Sequence, residues 1–374
     1  MKILLTVHHY LDPNTGIAGA TLLQGKELQK MGHQVQYFSF DNIPFRCKYT
    51  TKSLLFPFFV YLKILKDTIK NQVDVVDATT GDAWLWILGK WFFGKKPFLV
   101  TRSYGLEHNS HHKKLQEVKK GSLRLSWKYK IYHGWIRLKL VELTLRGADR
   151  VFLLNRQELE FAVEKLKMGR EKTHLIALGL SESFLGLPFE PSAQNELSTL
   201  KVTVIGTYIH RKGIRYAVPA LENLLSRFPQ LRVVFLGTGK SEQEVLSDFS
   251  NSTREQVSVI SSYDQSKLPE LIRDCHVHLF ASLSEGFGLT LLESMACGLA
   301  PVATEIPGPM EFVKDGENGI LVPCADSEVI EKALVRLIKD RSLLNKFRLA
   351  AYQTAQKYSY EACVRNQVSA YRSE

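Results

Sequence analysis

The sequence is poor in cysteine: five in 374 residues (Cys47, Cys275, Cys297, Cys324 and Cys363), widely spaced, odd in number and without a Cys-x-x-Cys pair. This argues against a disulfide framework or a structural zinc site and fits a reducing compartment. Long apolar runs are also missing. The longest, Leu54 to Leu62, is about half of what a membrane-spanning helix needs, and Pro57 interrupts it. The amino terminus, MKILLTVHHY, has neither the length nor the small-residue cleavage site of a signal peptide. The expectation is a cytoplasmic protein, at most peripheral on the inner face of a membrane. No Asp-x-Asp metal motif, internal repeat or low-complexity tract occurs.

What is present is ordinary globular composition, 45% apolar and 23% charged, which excludes disordered and collagen-like chains. The length exceeds what one hydrophobic core comfortably supports, so two domains are expected. Lys and Arg outnumber Asp and Glu by 49 to 38, a net +11. That surplus calls for an anionic partner: a phosphate ligand, a nucleic acid or a membrane surface.

Short apolar runs alternate with longer stretches of helical period, the pattern of parallel sheets covered by helices. One series begins at Ile3, Gln34, Val73, Pro97 and Arg150; a second begins at Lys201, Arg232, Val257, His276, Ala300 and Ile320. Between them, Gly186 to Thr199 is rich in Pro, Ser, Glu and Asn and reads as a loop. The predicted fold is α/β, two tandem Rossmann-like domains with a ligand cleft at the carboxyl ends of both sheets. Residues 1–178 form an N-terminal domain, 179–356 a C-terminal domain, and 357–374 a terminal helix.

The segment from Ser282 to Pro301 carries the most chemistry. A strand ends near Phe280, a loop with Gly286 and Gly288 follows, and a helix opens around Leu289. Such a loop can aim backbone N–H groups and a helix N-terminus at a phosphate. Glu293, inside an apolar helix pattern, must reach solvent or find buried hydroxyl donors, which two vicinal ribose hydroxyls would supply. A plain helix entry, with Glu285 favoured by the helix dipole and Glu293 solvated, stays open for this segment alone. The loop Gly206 to Gly213 sets Arg211 and Lys212 at the end of a strand, which suits a diphosphate but also fits two solvated turn charges. Gly237 and Gly239 mark another strand-to-glycine turn. Gly16 and Gly19 lie in a loop between the first strand and helix.

These segments together resemble the retaining nucleotide-sugar glycosyltransferases of family 4 (glycosyl transferases group 1), which have the GT-B architecture. Glu285 and Glu293 stand at that family's Glu-x7-Glu spacing around a Gly-Phe-Gly-Leu core, and GLAPVAT and IPGPMEFVKDGENGILVP also look like it. The resemblance implies that Glu293 holds the donor ribose, while Glu285 and the backbone of Phe287, Gly288, Leu289 and Thr290 hold the donor sugar and phosphates. It implies that Arg211 and Lys212 neutralise the leaving diphosphate, and that Gly206, Gly237, Gly239 and Tyr263 border the nucleotide. Gly16 and Gly19 would abut the phosphates and acceptor, and the terminal helix would return to the N-terminal domain. Many relatives carry a His before Gly in the loop after the fourth strand. Tyr104 stands there in this chain, and His108 is the candidate to take over its contact with the sugar. A metal reading of Glu107, His108, His111 and His112 lacks the helical His-Glu-x-x-His pattern.

Residues 113–146 hold ten basic and two acidic residues, interleaved with Leu115, Leu123, Trp127, Tyr129, Tyr132, Trp135 and others. This reads as a basic amphipathic helix pair suited to an anionic bilayer, or else as a solvated basic face packed on the sheet. No nucleic-acid-binding signature accompanies the charge.

The expected activity is transfer of a sugar from a nucleoside-diphosphate sugar to an acceptor hydroxyl, such as a lipid-linked or cell-surface glycan. By the resemblance, transfer retains anomeric configuration. No metal or cofactor is expected beyond the nucleotide-sugar co-substrate. An epimerase of the same architecture and a non-catalytic basic membrane- or nucleic-acid-binding protein are the competing readings.

Overall fold

In the computed structural model the described residues are 1–46, 48–92, 96–119, 121, 124–189 and 199–372. Two compact units emerge. The N-terminal unit comprises Met1–Gly179 and Tyr360–Glu374, and the C-terminal unit Leu180–Ser359.

The N-terminal unit is built on six strands: β1 (Lys2–Thr6), β2 (Gln34–Phe38), β3 (Val75–Thr79), β4 (Phe98–Arg102), β5 (Arg150–Leu153) and β6 (Thr173–Leu175). All pair in parallel, in the order β2-β1-β3-β4-β5-β6. β6 went unexpected because THL offers no apolar run. The helices of this unit include α1 (Gly16–Lys30), α2 (Tyr49–Ile69), α3 (Trp84–Gly89), α4 (Glu107–Lys119), α5 (Trp127–Ile131) and α6 (Arg137–Gly147). Parallel crossovers are right-handed, so the leftward step through α1 and the rightward steps through α2, α3 and α6 cover opposite faces. The packing agrees: Phe56, Val60, Trp86 and Val141 share one apolar cluster, whereas Leu28 of α1 shares another with Val364 and Tyr371. Those last two belong to the final helix, Tyr360–Arg372.

The Leu54–Leu62 run lies inside α2, which continues through Pro57 instead of stopping there. Proline's fixed φ is helical and forfeits one N–H bond; Pro57 is buried, and Phe56 and Val60 pack on the core. Among the described residues no helix is long and apolar enough to cross a membrane.

The C-terminal unit repeats the plan with β7 (Lys201–Ile205), β8 (Arg232–Leu236), β9 (Val257–Ile260), β10 (Val277–Phe280), β11 (Ala300–Thr304) and β12 (Ile320–Val322). The order is β12-β11-β10-β7-β8-β9, again parallel. Its core joins sheet residues Val202, Val233, Leu279 and Val302 to Leu221, Leu334 and Phe347 of the covering helices. Most of the loop expected at Gly186 to Thr199, residues 190–198, and Leu123 of the basic segment lie outside the described residues.

Candidate functional site

In an open parallel sheet, ligands sit beyond the carboxyl ends of the strands where the strand order reverses. In the C-terminal unit that point lies between β7 and β10. The loop after β7 carries Arg211 and Lys212 in a short 3₁₀ turn, and the loop after β10 carries Ser282 to Gly288. The two loops touch because residue 213 is glycine. A Cβ there would stand 1.8 Å from the Ala281 carbonyl oxygen, and its φ of +72° suits glycine. Leu283 N–H donates to the Arg211 carbonyl at 2.8 Å, locking the approach.

The contact brings three of the expected residues together. Arg211 donates to Glu285 Oε1 at 2.8 Å and Lys212 to the same oxygen at 2.6 Å. Arg211 also bonds the Ser284 carbonyl. The Arg211 side chain is 51% exposed and that of Lys212 only 14%. The Lys212 stem runs along Gly206, where a Cβ would come within 3.1 Å of its Cε, and its ammonium lies over the Phe280 ring. Gly206, with φ +127°, thus serves both turn and lysine.

Gly286 and Gly288 lead into the helix Leu289–Ala296. Its N-cap, Gly288, offers no side chain to the helix end. Among the described residues no side chain caps this end, so the first N–H groups, from Leu289 and Thr290, can meet an outside acceptor. Phe287 anchors this loop from behind, buried against Phe312 and Tyr358.

A second group assembles around Glu293, which is 3% exposed. Gln265 donates to its Oε1 at 2.5 Å. Burial pushes the Glu293 carboxyl up to about 8, Gln265 opposing only in part. Tyr263 lies close by; burial and the Glu293 charge both raise its hydroxyl pKa. The Tyr263 ring packs against Gly237, where a Cβ would meet it at 2.9 Å, while Gly239 faces open space. Behind Glu293, His278 bonds Ser294 at 2.7 Å and burial drives its pKa to about 3.

In the N-terminal unit the strand order reverses between β1 and β3. Gly16 and Gly19 occupy the start of α1, and a Cβ on Gly19 would clash with the Pro13 carbonyl at 2.5 Å. His108 is in the first turn of α4, not in a loop. Its ring lies 5.5 Å from that of Phe161, and burial lowers its pKa. Tyr104 bonds Thr21 at 3.0 Å.

Sequence reasoning missed a polar cluster at this reversal point. His8 Nδ1 pairs with buried Asp82 at 2.9 Å, and Asp82 holds the imidazolium above its usual range despite burial. Thr80 and Arg137 bind Glu107 alongside. The signal available was a His two residues past a strand and an acid three residues past its neighbour. Also missed was Asp77, which accepts from Arg102, Gln24, Gln367 and Tyr371. Among the described residues no group of three or more His, Cys, Asp or Glu side chains is placed to hold a metal ion.

Residues 190–354 match the family described as Glycosyl transferases group 1. Poly(glycerol-phosphate) alpha-glucosyltransferase of Bacillus subtilis is 25% identical over 236 residues, 62% of this chain but 33% of that protein. The alignment thus spans only a third of this curated relative. Sucrose-phosphate synthase of Thermosynechococcus elongatus superposes with a TM-score of 0.75 at 21% identity, covering 99% of this chain and 98% of that one. Anabaena HepE in complex with UDP superposes with a TM-score of 0.70 at 18% identity over 99% of each chain. At these identities the likeness shows the fold, two α/β halves of the GT-B kind.

Proposed function

We propose, from the match of residues 190–354 to the family described as Glycosyl transferases group 1, that the chain moves a sugar from a nucleoside-diphosphate sugar to an acceptor hydroxyl. The observation that carries this reading is the meeting of Arg211, Lys212 and Glu285 beside an uncapped helix start, at the reversal point of the sheet. Such a place favours an anion twice over, through charge and through aligned N–H groups.

Glu285 accepts from both cations. A diphosphate arriving there would take its place on Arg211 and Lys212, freeing Glu285 to accept from sugar hydroxyls. Glu293 and Gln265, with Tyr263 beside Gly237, offer an acceptor, a donor and an aromatic face for a ribose and its base. We further propose the family 4 chemistry: the departing phosphate oxygen takes the proton of the acceptor hydroxyl, and the new bond forms on the face the phosphate leaves. Anomeric configuration is then retained. The protein's part is electrostatic, with preset cations meeting charge as it grows on the diphosphate. Two cations and backbone amides suffice for this, so transfer is expected to proceed without a divalent metal. In the N-terminal unit, Gly16 at the start of α1 faces open space where a substrate can approach, whereas the room at Gly19 is taken by the Pro13 carbonyl. His108 turns toward Phe161, and His8, fixed by Asp82 at the reversal point of the N-terminal sheet, is the imidazole of that unit we assign to contact an acceptor there.

The Bacillus relative is named for a poly(glycerol-phosphate) acceptor, and HepE was solved with UDP. These support a uridine donor and a cell-surface or lipid-linked acceptor. A thermal-shift screen over UDP-, GDP- and ADP-sugars, with added EDTA, tests the reading. One family should raise the melting point, because a ligand bound only by the native state stabilises it. No shift with any, or a strict need for Mg²⁺ or Mn²⁺ in the subsequent transfer assay, would count against it.

A further inference from the structure

The two units differ in what they show to solvent. Over the sequence, the N-terminal unit has 31 Lys and Arg against 17 Asp and Glu, a surplus of 14; the C-terminal unit has 18 against 21, a deficit of 3. Among the described residues, sixteen large apolar side chains are exposed in the N-terminal unit and three, Ile209, Met310 and Leu349, in the other.

Much of this apolar surface has a definite place. Leu54, Phe58 and Leu62 recur every fourth residue on α2, opposite the inward row Phe56, Val60 and Ile64. A helix covering a sheet ordinarily shows polar residues outward. The neighbouring α3 packs on α2 through Tyr61 and Trp86, and just past it Trp91 and Phe92 are 76% and 88% exposed. Lys96 lies over the Trp91 ring at 4.8 Å. Lys66 and Lys70 stand exposed at the end of α2. The sole acid of α2, Asp67, is buried beneath Lys63, and none occurs from Ala83 to Pro97.

We propose that the outer face of α2 and the turn after α3 docks on an anionic lipid bilayer, with Leu54, Phe58, Leu62, Trp91 and Phe92 entering the headgroup boundary. The charge selects this occupant over a second protein. Protein interface cores are depleted in lysine, whereas lysines beside tryptophan and phenylalanine, with no acid exposed on either element, are the make-up of surfaces that lie in a membrane interface. The lysine stems extend along the apolar face while the ammonium groups reach lipid phosphates. The basic segment 113–146 carries a second outward row in Trp127, Ile131 and Trp135, all exposed. The proposal does not depend on the transferase reading.

Co-sedimentation of the full chain with phosphatidylcholine vesicles, with and without phosphatidylglycerol, tests it. Binding should require the anionic lipid and weaken with salt. The double variant Trp91→Ser/Phe92→Ser should lose about tenfold or more in affinity, and Phe58→Ser/Leu62→Ser a similar amount. All four side chains are exposed, so the fold should persist, as unchanged melting temperatures would show. Equal binding to neutral vesicles, or none to either, would overturn the proposal. So would variants that bind as wild type while Trp127→Ser/Trp135→Ser does not, or light scattering that shows the face joining two copies. Nucleotide-sugar thermal shifts on the same variants keep failure here distinct from failure of the transferase reading.

Discussion

Asp77 of the N-terminal unit and Glu293 of the C-terminal unit are both buried carboxylates, and their surroundings are opposite. Asp77 receives hydrogen bonds from an arginine, two amides and a tyrosine hydroxyl, the last two from the final helix. Its charge lifts the Arg102 guanidinium further above its already high range. Glu293 receives one amide, from Gln265, and burial raises its pKa to about 8. A saturated buried charge holds structure together. A carboxyl left short of donors is costly unless something else supplies them, and the vicinal hydroxyls of a ribose are what the proposed function brings.

Substitutions can break this comparison at either end. Asp77→Ala should cost about 3–5 kcal/mol in urea unfolding, because it leaves Arg102 buried and unpaired. A loss near that of an exposed residue would mean the cluster is incidental. Lys212→Ala should slow release of nucleoside diphosphate in the transfer assay by roughly two to three orders of magnitude, with little change in melting temperature. A rate within a few-fold of wild type would remove the electrostatic argument.

The pH dependence sharpens the contrast. Glu293 has a folded pKa near 8 against an ordinary 4.5. Its contribution to stability is therefore full below about pH 4.5 and is lost as pH rises through about 8. Glu293→Gln should flatten that part of the melting-temperature profile, leaving the variant at least as stable as wild type under alkaline conditions. Parallel profiles for the two proteins would show that Glu293 is not desolvated. The smallest effect concerns His8: Asp82→Asn should lower its NMR titration midpoint by removing the charge that holds it up. An unmoved midpoint would mean the pair does not form in solution.

The fold was largely legible because buried parallel strands are local apolar runs. Eleven runs marked strands, and only β6, a three-residue edge strand, escaped. Glycine loops after β7, β8 and β10 were legible for the same reason, since a strand followed by glycine and then a helical pattern is a local signal. What joins them was not. Glu285 meets Lys212 across 73 positions, His8 meets Asp82 across 74, and Tyr371 reaches Asp77 across 294. Such pairs follow from the order of strands in the sheet, which no window of sequence contains. Gln265 had no motif to mark it. The α2 stripe was hidden for a different reason: Leu54 to Leu62 is apolar throughout, and periodicity cannot say which row of such a helix faces out.

The claim beneath all of this is that the carboxyl edge of the C-terminal sheet is a seat for a nucleoside diphosphate, cations at one end and Glu293 at the other. Calorimetric titration of UDP, GDP and ADP into wild type, Lys212→Ala and Glu293→Gln tests both ends at once. The account predicts that one diphosphate binds wild type and that each variant weakens it at least about tenfold. Tight binding untouched by both substitutions would place the nucleotide elsewhere and contradict it.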